Sequence, residues 1–355
     1  MDAQTALNTL LDRNDLGRED MLSVMRQIMS GALTPAQIAG ILIALRCKGE
    51  TVAELSAAAE VMRALSVKVD LSAVEVSAAE NLVDTCGTGG DAACTFNIST
   101  AAALVAAAAG CRVAKHGGRS VSSTCGSADV LEALGVNIDL RPEEVAQSIA
   151  EIGVGFMFAP NHHSAMRFAA PVRRELGVRT LFNLLGPMTN PAGAKNQVIG
   201  VFQRGLTAKL ANVLKELGSS HVLVVHGRDG LDEISISGAT DIAELKDGNI
   251  TEFVFDPAHF GVQQAALSAL RVANREEAKA MLLAALSDRA NRANPARDIV
   301  ALNAGAAIYV SGVAATLEQG FEIAQQAIQS GAAAARLQQL VEFSARCKSS
   351  APNKP

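Results

Sequence analysis

The chain has 355 residues, a length that suits about two domains, and its 49% apolar and 19% charged residues are typical of a globular protein. The net charge is −5 and the basic residues are scattered singly, whereas a nucleic-acid-binding surface needs a dense basic face. These features count against nucleic acid as a partner.

No apolar run approaches the roughly 20 residues that cross a bilayer, so no membrane partner is expected. Residues 1–14 carry Asp2 and Asp12 and lack a basic segment followed by an apolar one, so we expect no signal peptide. The six cysteines form no C-x-x-C pair and no zinc-type spacing with histidine. Reduced thiols and a cytoplasmic location are the prediction.

Residues 1–70 are predicted to be helical throughout. Thr34, Pro35 and Gln37 combine an N-cap, a proline at the first helical position and a glutamine that can reach back to the cap. Thr51 and Glu54 repeat the capping-box pattern. An apolar stripe at helical spacing follows each cap, at Ile38, Ile41, Leu42 and Leu45 and at Leu55, Ala58, Ala59 and Met62. These helices need partners for their apolar faces.

Short apolar runs of strand length begin after about residue 75 and alternate with helical stretches. The runs lie at 82–83, 112–114, 154–158, 198–202 and 222–225, and the helical stretches at 98–109, 128–134, 142–152, 206–217 and 275–286. This alternation predicts an α/β fold with a largely parallel sheet. Residues 234–237 alternate strictly and 246–249 form a turn before 250–255, which predicts a small antiparallel edge. Residues 298–347 are alanine-rich and predicted to be helical.

The first cluster of chemical interest follows the first predicted strand, where 84–91 reads Asp-Thr-Cys-Gly-Thr-Gly-Gly-Asp. Glycines let a backbone approach a ligand closely, and the exposed amides of such a loop suit phosphate oxygens. The run 87–92 also fits the dinucleotide pattern G-x-G-x-x-G/A, but the helix is predicted to start near residue 97, too late for that motif. A tight strand-to-helix turn is the alternative interpretation.

Asn97, Ser99 and Thr100 lie at the predicted start of the next helix, where free amides and the helix dipole favour an anion. Simple capping needs one polar side chain, so three of them suggest a pyrophosphate, with a metal ion on Ser99. Capping and ligand binding both remain open for this segment taken by itself.

A second polar loop follows the second predicted strand at 115–123, and residues 126–129 extend it. It adds Lys115, Arg119 and several hydroxyl groups, which are the donors that a phosphorylated sugar requires. Ligands bind at the carboxyl edge of open α/β sheets, so two such loops after successive strands predict a shared phosphate site.

Two further segments carry candidate ligands. Arg173 follows the strand at 154–158 and has the geometry to clamp a carboxylate, the alternative being a solvated helix face. Asp232 and Glu233 follow the strand at 222–225, and adjacent carboxylates opposite a pyrophosphate site are the hard oxygen ligands that Mg²⁺ needs. The neighbouring His162 and His163 are expected to be structural.

Taken in order, these segments resemble the anthranilate phosphoribosyltransferase family of tryptophan biosynthesis over about residues 20–340. The resemblance is carried by the motifs at 87–91, 95–100, 115–123, 126–135 and 171–191 and by Asp232-Glu233. It implies a small helical domain, 1–73 joined by about 166–190, a larger α/β domain, 74–165 and 191–345, and a loose tail, 346–355. It also implies a homodimer through the helical domain.

The resemblance further implies transfer of the phosphoribosyl group from phosphoribosyl pyrophosphate to anthranilate. The donor would be held by Gly87, Gly90, Asp91, Thr95, Asn97, Ile98, Ser99, Thr100, Lys115, His116, Gly117, Gly118, Arg119, Ser120, Val121, Ser122, Ser123 and Ser127. Anthranilate would contact Gly87, His116, Gly118 and Arg173, with the carboxylate on Arg173, and two Mg²⁺ ions would be held by Ser99, Asp232 and Glu233. No residue is assigned as a general base, and the catalysis is electrostatic, through Mg²⁺ and Lys115.

This chain departs from the family at one position. The family loop reads Lys-His-Gly-Asn-Arg and its asparagine touches anthranilate, whereas this chain has Gly118 there. The expected effect is a weaker acceptor contact. A nucleoside phosphorylase, a noncatalytic nucleic-acid-binding relative and a Rossmann dehydrogenase are the alternatives, in that order.

Overall fold

The computed structural model describes residues 1–72, 74, 82–119, 125–287 and 294–350. For residues 348–350 it describes the backbone only. The helices are α1 Ala3–Leu11, α2 Arg18–Ser30, α3 Pro35–Lys48, α4 Val52–Leu65, α5 Ile98–Ala108, α6 Ser127–Ala133, α7 Pro142–Ile152, α8 Ala159–His162, α9 Ala170–Leu176, α10 Phe182–Leu185, α11 Thr207–Glu216, α12 Arg275–Ala285, α13 Pro295–Val310, α14 Leu317–Gln329 and α15 Ala332–Ser350. The strands are β1 Leu82–Gly87, β2 Arg112–Gly117, β3 Val154–Phe158, β4 Asn196–Gly200, β5 His221–Gly227, β6 Thr240–Lys246 and β7 Asn249–Phe255. Single 3₁₀ turns lie at Ser164–Phe168, Gly186–Met188, Arg204–Leu206, Pro257–Phe260 and Leu267–Leu270.

Both predicted capping boxes are confirmed at the starts of α3 and α4. The Thr34 hydroxyl accepts from the Gln37 amide at 3.3 Å, and the Gln37 side-chain oxygen accepts from the Thr34 amide at 3.0 Å. Thr51 and Glu54 make the same reciprocal pair. Each box satisfies two helix-end donors, so the two helices begin where the sequence predicts. Both predicted apolar stripes are buried.

The buried apolar residues form two clusters. One joins the four N-terminal helices to residues from the segment 169–188, such as Phe182 and Leu185, and continues onto α11 and one face of β4–β6. The other packs α5, α7 and α12–α15 on the opposite face of the sheet. Strand residues alternate between the two clusters, as Val198 and Ile199 do on β4, because successive strand side chains point to opposite faces.

The described residues form a seven-stranded sheet in the order β3-β2-β1-β4-β5-β6-β7, parallel from β3 to β5. The chain moves outward from β1 to β3 and then returns to place β4 on the other side of β1. The strand order therefore reverses between β1 and β4, and a crevice opens at their carboxyl ends, the usual ligand site in such sheets. The predicted fold class is confirmed.

The antiparallel edge is formed by β6 and β7, which pair with each other and with β5. The prediction that residues 234–237 begin this edge is wrong. Ile234 and Ile236 are buried, which explains the alternation, but the Ile234 and Ser235 amides donate to the Asn303 and Thr240 side chains instead of to a strand. Burial on one side of a loop gives the same period of two as a strand.

The C-terminal helix α15 continues to Ser350, so the expectation of a loose tail from residue 346 is wrong for residues 346–350, and residues 351–355 lie outside the described residues. All six cysteines have free thiols, as predicted. No helix in the described part of the chain is both long enough and apolar enough to cross a membrane.

Candidate active site

The glycine loop after β1 is tied to the ends of two neighbouring strands. The Thr88 amide donates to the Gly200 carbonyl at 2.8 Å, and its hydroxyl accepts from the Phe202 amide at 3.2 Å. The Gly89 amide donates to Asp232 Oδ2 at 2.8 Å. Gly89 and Gly90 adopt φ of 65° and 82°, a conformation that glycine alone adopts freely. The Thr88 and Gly89 part of the loop is thus held by the ends of the sheet strands and by the loop after β5.

Two glycines make room for the carboxylate pair after β5. Gly87 and Gly200 are register partners at the ends of β1 and β4. A Cβ on Gly200 would lie 1.5 Å from the Asp232 carbonyl oxygen, and one on Gly87 would lie 2.4 Å from Asp232 Oδ2. The backbone of the loop after β5 therefore lies directly across these strand ends, which brings Asp232 and Glu233 into the crevice.

The start of α5 meets the same carboxylates. The Ser99 amide donates to Glu233 Oε1 at 3.1 Å, so a free helix-end amide is satisfied by a carboxylate from another loop. Asn97 Nδ2 donates to the Cys125 carbonyl at 3.0 Å, while its Oδ1 and the Thr100 hydroxyl are buried without a partner among the described residues. Unpaired buried oxygens at a helix N-terminus are free to meet a ligand.

The residues that lead into α5 differ in what they offer a ligand. Ile98 is 1% exposed and belongs to the core, and its amide already donates to the Phe96 carbonyl at 2.8 Å. Thr95 forms an isolated antiparallel bridge with Arg271. Ala92 and Cys94 adopt φ of 58° and 54°, a strained conformation for residues other than glycine. Strain of this kind is concentrated at functional sites, and here it shapes the path from the glycine loop to α5.

Three acidic side chains, Asp91, Asp232 and Glu233, interact where these loops converge. Loss of hydration and the neighbouring charge of Asp91 raise the pKa of Asp232, and loss of hydration together with Asp232 raises the pKa of Glu233. Lys115 acts in the opposite direction on Glu233. Its ammonium donates to the Ser99 hydroxyl at 3.3 Å and to the Thr85 carbonyl. Lys115 thus faces three carboxylates, and its single charge does not balance theirs.

The carboxylate and hydroxyl oxygens of this cluster fit a hard divalent cation that is held jointly with a phosphorylated ligand. Mg²⁺ takes oxygen ligands and is commonly bound by one or two carboxylates plus substrate phosphates. Within the described ranges, no three His, Cys, Asp or Glu side chains form a ready-made metal cage. Asp232, Glu233 and the Ser99 hydroxyl would supply only part of an octahedral shell, and the remaining ligands would come from phosphate and water.

The loop after β2 is only partly described. Ser120, Val121, Ser122 and Ser123, all expected to bind the sugar phosphate, lie outside the described residues. Gly117 packs against Ser127 and Phe156, since a Cβ there would lie 3.0 and 3.3 Å from their atoms. Arg119 donates to the Asp129 and Glu132 carboxylates of α6, at 3.0 and 2.9 Å, so the structure directs this arginine to α6.

His116 and His163 have buried imidazole rings whose centroids are 5.1 Å apart. Burial lowers the pKa of His116 well below its ordinary value and lowers that of His163 to about 4, so both rings are neutral at neutral pH. The Nε2 atom of each ring has no partner among the described residues. Neutral imidazoles with a free nitrogen can accept or donate one hydrogen bond to a ligand.

Arg173 is half-buried on α9, with its guanidinium 5.5 Å from the centre of the Phe182 ring. Desolvation lowers its pKa, and no carboxylate of the described residues pairs with it. A partly desolvated guanidinium gains most from a ligand carboxylate, because charge-assisted hydrogen bonds to that ligand replace the hydrogen bonds to water that burial removed.

Several supporting residues were not found from the sequence. The buried Asp84 accepts from the His116 amide at 3.1 Å and from Asn190 Nδ2 at 2.7 Å, which joins β1 to β2 and to the segment before β4. Asn303 on α13 holds both backbone polar groups of Ile234, the residue after Glu233, at 2.9 and 3.0 Å. Arg179 reaches the glycine loop. Such roles depend on contacts between residues that are 32 to 106 positions apart in the sequence, which no local motif encodes.

Two domain models of one glycosyl transferase family match this chain. Residues 79–334 match the α/β domain of a glycosyl transferase family and residues 4–66 match its helical bundle domain. The anthranilate phosphoribosyltransferase of Thiobacillus denitrificans is 61% identical over 97% of this chain and 98% of its own. This chain belongs to the anthranilate phosphoribosyltransferase family.

Solved structures of family members extend the match to three dimensions. The enzyme from Thermus thermophilus superposes with a TM-score of 0.88 at 42% identity, over 96% of this chain and 99% of its own. The enzyme from Saccharomyces cerevisiae, in complex with PRPP and Mg, superposes with a TM-score of 0.85 at 26% identity, over 97% of this chain and 98% of its own. The yeast enzyme has also been solved with 4-fluoroanthranilate, with a TM-score of 0.86 at 25% identity over 97% and 98%. The resemblance noted from the sequence is confirmed at the level of the family.

We expect the double variant Asp232→Asn/Glu233→Gln to be more stable than the unmodified chain in EDTA at about pH 8, and the difference to shrink at about pH 5. Both carboxyl pKa values are raised in the folded chain, so the folded state binds more protons than the unfolded state and loses stability as the pH rises from about 4 towards neutral. Thermal unfolding at the two pH values measures this effect.

A control variant, Glu216→Gln/Glu252→Gln, neutralises two exposed carboxylates instead. It should differ little from the unmodified chain at either pH. If the site variant is less stable at about pH 8, the carboxylates are not short of positive charge and this account of the site is wrong.

Proposed function

We propose that this chain transfers the 5-phosphoribosyl group from phosphoribosyl pyrophosphate to the amine of anthranilate, forming N-(5-phosphoribosyl)anthranilate and pyrophosphate in L-tryptophan biosynthesis. The observation that carries the proposal is the meeting of three parts at the carboxyl edge of the sheet. These parts are the glycine loop after β1, the start of α5 and the carboxylate pair after β5. Relatives named for this activity support it.

The donor is placed with its pyrophosphate between the glycine loop and the start of α5. The glycine loop and the start of α5 border this space, and glycine loops and helix N-termini bind phosphate oxygens. The unpaired Asn97 and Thr100 oxygens and the Lys115 ammonium complete the set of polar contacts. The sheet side of the loop is already fixed by the Thr88 contacts, so little ordering is needed when the donor binds.

We place two Mg²⁺ ions with Asp232, Glu233 and the Ser99 hydroxyl, and a yeast relative solved in complex with PRPP and Mg supports Mg²⁺ as the metal. When bound, Mg²⁺ neutralises the charge that develops on the departing pyrophosphate. Asp232 is kept in place by the Gly89 amide, and Glu233 by the Ser99 amide, so both carboxylates have a fixed direction before any ligand arrives.

The acceptor is placed on the side of Arg173 and His116. The carboxylate of anthranilate pairs with the desolvated Arg173 guanidinium, which orients the ring. The neutral His116 has a free Nε2 to hydrogen-bond the amine as it approaches. Gly118, where the family has asparagine, leaves this side of the site one polar contact short, at a cost on the order of 1 kcal/mol.

The reaction exchanges one bond at the sugar. The C1–O bond to pyrophosphate breaks with both electrons leaving on oxygen, and C1 acquires oxocarbenium character. The lone pair of the aromatic amine forms the new N–C1 bond from the opposite face, and the ammonium proton passes to solvent. No side chain is required as a general base, so fixed charges and positioning provide the catalysis.

The subunit is proposed to act as a cytoplasmic homodimer joined through the helical domain. Leu11, Leu65 and Val67 in the N-terminal region expose large apolar side chains, 69%, 46% and 44% respectively, which a partner would cover. The molar mass of the purified chain, measured by light scattering, tests this assembly.

The direct test follows anthranilate fluorescence after addition of phosphoribosyl pyrophosphate and Mg²⁺. We expect the fluorescence to fall only when both are present, and pyrophosphate to appear in equal amount. Nucleosides with inorganic phosphate serve as the control for nucleoside phosphorylase activity. Release of a free base from a nucleoside, with no loss of anthranilate, would replace this proposal by phosphorolysis.

Arg173→Ala should raise the KM for anthranilate about tenfold to a hundredfold, because a charge-assisted contact to a carboxylate contributes about 1.5–3 kcal/mol. The KM for phosphoribosyl pyrophosphate should change little. Arg174→Ala, on the exposed face of the same helix, is the matched control. Equal weakening of both substrates in the Arg173 variant would show a structural role for this arginine.

Gly118→Asn should lower the KM for anthranilate by severalfold to about tenfold, the worth of one neutral hydrogen bond. The change is sterically permitted, since Gly118 lies outside the left-handed region and a Cβ there would be 4.0 Å from Ala159 Cβ. Gly205→Asn, also in open space, is the control. Steady-state kinetics with each substrate varied in turn decides, and an unchanged anthranilate KM would mean that the acceptor is held elsewhere.

A further inference from the structure

Arg179 reaches from the segment beside the helical domain to the glycine loop. Its guanidinium donates through Nη2 to the Gly90 carbonyl, and Cζ lies 4.2 Å from the centre of the Phe202 ring. The aromatic face below and the carbonyl beside it fix the guanidinium plane. No carboxylate of the described residues pairs with this arginine, so its contacts are those to the loop and to the ring beneath it.

The other end of Arg179 is anchored to the helical domain. Its carbonyl accepts from Arg46 Nη1, at the end of α3, at 2.8 Å. The next residue, Thr180, donates its amide to the Asn183 side chain at 3.0 Å, which fixes the turn that leads into α10. Arg179 therefore spans the space between the helical bundle and the sheet, with its backbone on one side and its guanidinium on the other.

Among the described residues, the contact recorded for the Gly90 carbonyl is the one to Arg179. Thr88 and Gly89 are held by the sheet and by Asp232, but Gly90 adopts a φ of 82° with its carbonyl directed at Arg179. A Cβ on Gly90 would lie 3.1 Å from Arg179 Nε, so the two residues are packed in contact. The direction of the Gly90 carbonyl sets the direction of the Asp91 amide in the same peptide plane, because that plane is rigid.

We infer that Arg179 is a positioning residue for the donor: by holding the Gly90 carbonyl it turns the Asp91 amide towards the pyrophosphate, and it links this loop to the helical domain. The inference rests on the proposed function. The guanidinium comes from a segment anchored to the helical domain, and the carbonyl belongs to the glycine loop. The shape of the glycine loop therefore depends on how the two domains meet. Arg179 thus acts through Gly90 and needs no contact with substrate.

The test measures binding of phosphoribosyl pyrophosphate with Mg²⁺ by calorimetry, and the KM of each substrate, in Arg179→Ala and Arg179→Lys. We expect Arg179→Ala to weaken donor binding roughly tenfold, the loss of one charge-assisted hydrogen bond, and to change the anthranilate KM less than about threefold. Lysine keeps a hydrogen-bonding cation but lacks the planar guanidinium, so Arg179→Lys should bind phosphoribosyl pyrophosphate more tightly than Arg179→Ala and less tightly than the unmodified chain.

Arg174→Ala is the matched control, because this arginine is exposed on the same segment and should leave both constants unchanged. Phe202→Leu removes the aromatic face and should weaken donor binding, with less than additive loss when combined with Arg179→Ala. Unchanged donor affinity in Arg179→Ala would overturn the inference. So would equal weakening of both substrates together with a lowered thermal midpoint, which indicates a purely structural role. If the unmodified chain fails to bind the donor, the proposed function itself is wrong.

Discussion

The rest of the site depends on one electrostatic constraint: three carboxylates are brought together, partly out of water, and the Lys115 ammonium does not balance their charge. Asp91, Asp232 and Glu233 repel one another, and loss of hydration raises the pKa of both Asp232 and Glu233. A fold tolerates such an arrangement only where the surrounding structure holds the groups in place. Here that structure consists of backbone amides at Gly89 and Ser99, which stabilise the charged form without neutralising it. Under the proposed function, a cation and a phosphorylated ligand that arrive together would relieve this imbalance, so substrate binding and charge compensation would be one event.

The packing of the strand ends makes this convergence possible. Side chains at the ends of β1 and β4 would fill the space that the loop after β5 occupies, and the register pair Gly87 and Gly200 removes both obstacles at once. Asn303 then takes both backbone bonds of Ile234 in place of a neighbouring strand, so the carboxylate loop is fixed without being part of the sheet. The catalytic geometry is thus a consequence of backbone contacts as much as of the acidic side chains.

Much of the fold followed from local signals. The capping boxes at Thr34 and Thr51 and the alternation of strands and helices each have a short-range physical cause, and the structure confirms them. The loops that carry the site could also be identified, because glycine and polar residues after buried strands have few other uses. The strand prediction for residues 234–237 was wrong, because burial of Ile234 and Ile236 in a loop gives the same alternation of apolar and polar residues as a strand. Arg179 and Asn303 were missed, because an arginine or an asparagine in an unremarkable stretch reveals its role only when its distant partner is known. Asp84 lies within the motif at 84–91, but its bonds to His116 and Asn190 could not be predicted from that motif.

The division of the apolar core has a consequence for how the chain is made. The N-terminal helices bury their apolar faces against residues 169–188, against α11 and against one face of β4–β6, all of which lie much later in the sequence. On the ribosome these helices emerge before their partners, which are synthesised more than a hundred residues later. The helical bundle therefore does not complete its core as an N-terminal unit, and its exposed apolar surface must be kept from aggregation until β6 has been made. A truncated chain that ends before residue 169 would lack these partners altogether.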